Sequence, residues 1–260
     1  MKNKKKIAIY IPAWNVSNII TTVLDRIPKE LKQKISEIFI VDNASEDDTY
    51  LTVMKYKHDK NLRNLKIIKL KENKGYGGSQ KTAYQYCLDK GYNIVVMLHG
   101  DAQYAPEYLP KIIKPVEEGK ADLMFGSRIS GHPLKGGMPL WRFIGNRTLT
   151  ELENLILGLN LSEYHSGYRV YSCDALRKVP FHLTSNNCCD TEMIVLFHLA
   201  GLRIAETPIP THYGKESKHP TSKRLVIFIF NILLTLWRYS LHKSGIKKYR
   251  LFEVKKFIKK

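Results

Sequence analysis

The stretch His99-Gly100-Asp101-Ala102-Gln103 follows directly on an apolar run, Ile94 to Leu98. A carboxylate just beyond a buried strand can hold a hard divalent cation against a diphosphate, with the Gln103 amide supplying a second oxygen. Such an ion offsets the charge that develops on a departing nucleoside diphosphate. Asp42, behind the run Ile38 to Val41, has two readings. It can accept hydrogen bonds from a nucleobase or ribose, or simply open an Asx-turn. The segment Asn73-Lys74-Gly75-Tyr76-Gly77-Gly78 has the glycines of a tight turn that lets a ligand approach the backbone. It lacks the Lys-Ser/Thr ending of a Walker loop and the GxGxxG spacing, which argues against those nucleotide signatures.

The elements that must position these clusters are legible as alternating patterns. Apolar runs at Ile7–Ile11, Ile38–Val41, Leu65–Leu70, Ile94–Leu98 and Leu123–Phe125 read as strands. Helices are expected after Asn15 or Ser17, after Asp47 or Asp48, from the glycine-rich turn through Cys87, and over Trp141–Leu157. Strand–helix alternation predicts an α/β fold with a mostly parallel sheet covered on both faces. In such sheets ligands bind beyond the carboxyl ends of the strands. The polar or glycine-rich clusters each follow a strand, so they should converge on one crevice.

Composition narrows the partners. The 260 residues carry 42 Lys and Arg against 24 Asp and Glu, a net charge of +18, which favours a polyanionic partner. The basic residues are not interleaved with aromatics as in a nucleic-acid module, so nucleic acid is not expected. Cys87, Cys173, Cys188 and Cys189 lack the spacing of a zinc site and read as reduced structural thiols. No secretory signal is visible at the basic start, and a reducing, cytoplasmic setting is expected. Leu225–Leu236 is an apolar run of about 12 residues, short of the roughly 18 to 20 that span a bilayer. With Trp237 and Tyr239 behind it, then Lys243, Lys247 and Lys248, it reads as an interfacial or re-entrant helix, with a buried core helix as the competing reading.

Taken in order, IPAWN, VDNASEDDT, NKGYGGS, HGDAQY, FGSR, SGYRVY and DTE strongly resemble the motifs of family 2 glycosyltransferases, in particular the dolichol- or polyprenyl-phosphate mannosyl- and glucosyltransferases. The resemblance covers about residues 7–222. It implies a GT-A fold with a C-terminal apolar helix, and a metal-dependent transfer of a sugar with inversion. The donor would be a UDP- or GDP-sugar, and the acceptor a polyprenyl or dolichyl phosphate. The expected organisation is a GT-A domain over 1–222, with 1–130 on the nucleotide-sugar side and 131–222 on the acceptor side. A membrane-associating helix over 223–243 and a basic tail over 244–260 follow.

Residue by residue, the resemblance implies that Pro12 and Asn15 shape the loop around the nucleotide and that Asp42 binds the base. Asn73, Lys74, Gly75 and His99 belong to the nucleotide side, as does Lys218, which follows Ser217 as in the family's mobile loop. Asp101 is the metal carboxylate, with Gln103 as second ligand and Mg2+ or Mn2+ as the ion. Arg128 faces sugar or phosphates, while Ser166, Gly167 and Arg169 belong to the acceptor side; Arg147, with Arg169 and Lys218, reads as a basic residue near the acceptor mouth that suits a lipid phosphate. Asp190 and Glu192 are the candidate bases if the acceptor is a glycan hydroxyl; a lipid phosphate needs none. Two departures stand out. The family usually opens its metal motif with Asp where this chain has His99, and its first motif usually continues Asn-Glu where Val16 follows Asn15. His99 is therefore read as a variant position that can ligate Mn2+ or bond the ribose. The setting implied is the cytoplasmic face of an anionic membrane, as a peripheral, monotopic or re-entrant protein. Alternatives are transfer to a glycan hydroxyl, a nucleotidyltransferase releasing pyrophosphate, and a non-catalytic membrane-associated scaffold.

Overall fold

The computed structural model describes residues 5–187, 189–213 and 222–258. Lys218, Ser217 and Cys188 therefore lie outside the described residues. The strands are β1 (Ile7–Ala13), β2 (Glu37–Asp42), β3 (Leu65–Lys69), β4 (Ile94–Met97), β5 (Leu123–Ser127), β6 (Arg169–Ser172) and β7 (Ile204–Pro208). They form one sheet in the order β3-β2-β1-β4-β6-β5-β7. All pairings are parallel except those of β6, which runs against both β4 and β5.

The five expected strands are present, with ends within two residues of the apolar runs. β1 alternates Ile7, Ile9 and Ile11 toward one core with Ala8 and Tyr10 toward the other. Both faces are buried, as a parallel sheet requires. One face is covered by α1 (Ile20–Arg26), α2 (Lys29–Lys34), α3 (Thr49–Asp59) and α5 (Leu109–Glu117). Against the other lie α4 (Gly75–Asp89), α6 (Leu140–Leu157), α7 (Cys173–Leu176), α8 (Cys189–Leu199) and α9 (Ser222–Lys243). A short final helix, α10 (Lys255–Ile258), closes the described chain. Cys87, Cys173 and Cys189 are buried free thiols. Burial pushes the Cys189 thiol up to about 12, so it behaves as a small core hydrophobe.

Two features decide where the site lies. The chain winds β1-β2-β3 in one direction and then returns to place β4 beside β1, so the strand order reverses between β1 and β4. A crevice opens at such a switch point. Second, β6 is reversed, pairing its first residue, Arg169, with Met97 and with Phe125. The residues before β6 thus reach the same edge as the residues after the other strands.

The apolar run near the C-terminus proves to be the middle of a 22-residue helix. By length and composition alone, α9 is apolar enough to cross a membrane. Its faces differ: Ile232, Thr235, Leu236 and Tyr239 are buried, whereas Val226, Phe230, Leu233 and Trp237 are exposed. Both sets follow helical spacing, so one stripe binds the core and the opposite stripe is left apolar in the open. The stretch behind it is more than a solvated tail, since Phe252 and Val254 are buried in the same core.

Candidate active site

At the switch point lies a cavity of about 800 Å3. Its floor is made of strand ends: Pro12, Ala13 and Trp14 after β1, Asn43 after β2, His99, Gly100 and Asp101 after β4, and Arg128 after β5. Two helices wall it, α6 through Trp141, Arg142, Asn146 and Leu149, and α9 through Arg224, Leu225, Ile227 and Phe228. The expected convergence of post-strand clusters is thus observed.

The loops after β1 and β2 are stitched together by Asn15, which takes a left-handed φ of 52°. Asn tolerates this conformation better than most residues. Its side-chain oxygen accepts the Glu46 N–H at 2.8 Å, and its own N–H donates to Ser45 Oγ at 3.0 Å. Asp47 joins in, accepting from Ser17 N–H and Thr49 N–H at 3.0 Å each. Partial burial works against its charge, but these hydrogen bonds hold the Asp47 carboxyl at about 2. Asp42 does open the turn, accepting the Ser45 N–H on Oδ1 at 2.9 Å. Its Oδ2 is buried with no partner among the described residues.

The glycine-rich turn is gripped by Asn43, a residue not singled out from the sequence. Asn43 Nδ2 donates to Asn73 Oδ1 at 3.0 Å and to the Gly75 carbonyl at 3.2 Å, while its Oδ1 accepts the Lys74 N–H at 2.9 Å. Gly75 and Tyr76 reach the cavity at the N-terminus of α4, whose dipole favours an anion there. A Cβ on Gly77 would stand 2.4 Å from the Ser185 carbonyl, so only glycine lets α4 start against that turn.

Asp101 lines the cavity and accepts the Gln103 N–H on Oδ1 at 3.2 Å. Gln103 is itself buried and away from the cavity lining. Its carbonyl accepts the His212 N–H at 3.2 Å, where the chain crosses the Tyr104–Thr211 bridge.

His99 lies in an aromatic slot. Its Nε2 is 3.0 Å from the Tyr76 hydroxyl, and its ring meets Tyr104 edge-on at 5.1 Å. Burial lowers the imidazole pKa below the ordinary histidine range, against the opposing pull of Asp101 and Asp190. Gly167 backs the slot, since a Cβ there would fall 2.2 Å from His99 Nε2. The glycine of the SGYR stretch is therefore explained by the histidine it must clear.

The remaining expected residues divide between wall and scaffold. Arg128 lines the cavity, yet its guanidinium is bound by the fully buried Glu163, with Nε to Oε1 at 2.6 Å. Glu163 also accepts the Arg128 N–H at 2.6 Å. Burial disfavours the Arg128 charge, but Glu163 outweighs it and holds the guanidinium pKa above its usual value.

Arg169 has no exposed surface. It donates to the carbonyls of Ser166, Asp190 and Tyr164 at 2.7, 2.9 and 2.6 Å. Ser166 is also fully buried. Asp190 accepts from Gln80 Nε2 at 3.2 Å and lies 3.6 Å from Arg169 Nε. Glu192 accepts the Ser185 N–H at 2.5 Å, and burial raises its carboxyl pKa. Neither acid lines the cavity. Arg147 is exposed on α6 and pairs with Glu151 at 2.9 Å, while Arg142 on the same helix does line it.

Glu163 and His165, which the motifs do not single out, flank Tyr164 just ahead of the SGYR stretch. Their position beside a recognised motif is the available signal.

The profile described as "Glycosyl transferase family 2" matches residues 8–180. A UDP-N-acetylglucosamine–dolichyl-phosphate N-acetylglucosaminyltransferase from Methanococcus voltae is 29% identical over 245 residues, covering 89% of this chain and 96% of the relative. An undecaprenyl-phosphate mannosyltransferase from Micrococcus luteus is 26% identical over 207 residues, covering 78% of this chain and 82% of the relative. In fold, the chain is similar to glucosyl-3-phosphoglycerate synthase from Mycobacterium tuberculosis, solved with Mn2+, UDP and phosphoglyceric acid. That likeness has a TM-score of 0.67 at 18% identity and covers 90% of this chain and 78% of that one. The sheet order, the crevice at its switch point and these matches agree on a GT-A fold. On the strength of the profile match across most of its length, the chain belongs to glycosyl transferase family 2 and is a glycosyltransferase.

Proposed function

We propose that this glycosyltransferase moves a sugar, with inversion, from a UDP- or GDP-sugar to a polyprenyl- or dolichyl-type phosphate at the cytoplasmic face of a membrane. One observation carries the choice of acceptor. Among the described residues lining the cavity, Asp101 is the only carboxylate. A sugar hydroxyl would need a base within hydrogen-bond reach; the expected carboxylates, Asp190 and Glu192, are both turned into the protein, and the two histidines of the lining are already backed, His99 by Tyr76 and His165 by Glu153. An acceptor phosphate is already anionic and needs none. An acceptor phosphate that attacks the anomeric carbon directly gives a single displacement, and hence inversion. The apolar side chains that α6 and α9 place on the wall suit a prenyl chain, and both curated relatives above are named for polyprenyl- or dolichyl-phosphate acceptors.

Whether the site suits a metal can be judged from its donors. No group of three or more His, Cys, Asp or Glu side chains among the described residues could hold an ion by itself. Asp101, lining the same cavity as the N-terminus of α4, fits an ion shared with the donor's diphosphate, the habit of Mg2+ and similar cations. Mg2+ or Mn2+ held there would offset the charge of the departing diphosphate. In this reading Gln103 orients Asp101 through its backbone N–H, and His99, committed to Tyr76 through Nε2, serves the ribose side. Asn43 keeps the glycine-rich turn where the nucleotide meets it, and Arg128 borders the sugar and phosphates.

The test is to incubate a panel of UDP- and GDP-sugars with polyprenyl phosphate and Mg2+ or Mn2+, reading lipid-linked products by mass. A lipid-phosphate sugar with release of nucleoside diphosphate is expected, and none after chelation. Transfer to hydroxyl acceptors alone, or release of pyrophosphate, would overturn the reading.

Membrane attachment is proposed for the exposed stripe of α9. Deleting the helix would confound the test, because Ile232, Leu236 and Tyr239 belong to the core. The double change Phe230→Glu and Trp237→Glu alters only exposed positions. It should weaken binding to anionic vesicles by about a hundredfold or more, since each lost apolar contact is worth about 1.5–3 kcal/mol. Thermal stability should be little changed. Undiminished co-sedimentation with vesicles would show that this stripe does not meet the bilayer.

A further inference from the structure

The seam where the strand-end floor meets the helical wall holds a second buried acid–base pair. His165 lines the cavity with its side chain only 3% exposed. Its Nε2 lies 3.0 Å from Glu153 Oε2, on α6. The two atoms are at ion-pair distance without the alignment of a hydrogen bond. Glu153 is fully buried, and its other oxygen accepts the Thr191 hydroxyl at 2.9 Å. Phe228 of α9 meets the imidazole edge-on at 5.4 Å, and the His165 carbonyl accepts from Arg128 at 3.2 Å. His165 Nδ1 is buried with no partner among the described residues.

A pair that merely fastened α6 to the loop would be expected to satisfy its polar atoms, as buried groups do. Here a cavity-lining ring carries an unpartnered nitrogen, and a buried carboxylate backs its other one. The arrangement costs desolvation and returns little as a fastening. The neighbouring cations are already engaged. Arg128 next to it has its charge matched by Glu163. The wall's other arginines stack on rings, Arg142 on Tyr213 and Arg224 on Trp14.

We propose that His165, positioned by Glu153, binds the phosphate of the acceptor; the inference rests on the phosphate-acceptor reading above. With a carboxylate against Nε2, Nδ1 is the ring nitrogen left to meet a phosphate oxygen, which it does as an N–H donor. No bond to carbon or phosphorus is made or broken by His165. It holds the attacking phosphate beside Arg128, at the border between the donor floor and the apolar wall.

The test measures KM for donor and acceptor separately, with farnesyl phosphate as acceptor. His165→Phe keeps a ring against Phe228 but removes both nitrogens. It should raise the acceptor KM by about tenfold or more, the scale of a lost charge-assisted hydrogen bond. The donor KM and UDP binding by calorimetry should stay within about twofold. His165→Asn, whose amide nitrogen can stand in for Nδ1, should recover most of the loss. Glu153→Gln should raise the acceptor KM in the same direction, which keeps the proposal testable if His165→Phe does not fold. An unchanged acceptor KM in folded variants, or an equal rise in donor KM, overturns it. If the wild-type protein uses farnesyl phosphate and His165→Phe matches it, this inference alone falls. If the wild type transfers to no polyprenyl phosphate, the acceptor reading falls and takes this one with it.

Discussion

Changing Asp101 to Asn is expected to lower sugar transfer by about a thousandfold, because metal stabilisation of a departing diphosphate is worth several kcal/mol. The fold should survive. Asp101 is partly exposed, and the contact it makes is to the Gln103 N–H, which an Asn side-chain oxygen can still accept. Substitutions away from buried networks usually change stability by no more than about 0.5 kcal/mol. The informative measurement is UDP binding with and without Mn2+. Binding to the wild type should be strengthened by the ion, whereas binding to Asp101→Asn should be indifferent to it. A variant that keeps transfer within about tenfold of wild type, or still responds to the ion, would remove Asp101 from the metal role.

The largest effect on stability is expected at Glu163, which has no exposed surface and sits against an almost fully buried Arg128. Glu163→Ala strands that guanidinium without a counter-charge and also leaves the Arg128 N–H unpaired. Removing one partner of a buried ion pair typically costs about 3–5 kcal/mol. At roughly 2–4 °C per kcal/mol for a chain of this size, the Tm should fall by about 10 °C. The net worth of the intact pair is a different quantity, because both ions were desolvated to form it. Replacing both partners together, Arg128→Met with Glu163→Leu, should therefore recover the part of the loss due to the stranded charge, but not the part due to the unpaired backbone N–H of residue 128, and none of the activity. A loss below about 1 kcal/mol for Glu163→Ala alone, by urea or thermal unfolding, would mean that water reaches the pair.

Buried polar networks of this kind explain which elements are legible from residue order and which are not. Strands β1 to β5 are mostly apolar, even β3 (Leu-Lys-Ile-Ile-Lys) keeping three apolar residues of five, with polar turns behind them, and hydropathy locates them. β6 is invisible to that logic because it begins with Arg169, a charge that hydropathy assigns to the surface. The structure buries Arg169 completely by giving it three carbonyls, a tyrosine hydroxyl and Asp190. β7, Ile-Ala-Glu-Thr-Pro, mixes polar and apolar residues for a similar reason: Glu206 turns to Ser162, accepting its N–H and its hydroxyl at 2.8 Å each. The helix near the C-terminus is recognisable by its apolar middle, whereas the amphipathic turns at either end carry no such signal. Backbone hydrogen bonding carries the helix through them to 22 residues.

The same distinction governs the site. Local order in the chain is enough to establish the family, the α/β alternation, and the placement of Asp101, His99 and the glycine-rich turn behind strands, because each depends on neighbours within a few residues. Roles set by long-range contacts are not available that way. Asp190, Glu192 and Arg169 carry the right functional groups, yet each faces protein. Glu163 and His165, two residues apart, reach different partners, Arg128 and Glu153, that lie 35 and 12 positions away in the numbering. Hydropathy and motif spacing record what a residue is and what stands next to it. Which charges are neutralised, and which face the cavity, depends on the sheet order and on the reversal of β6, which bring those distant partners together.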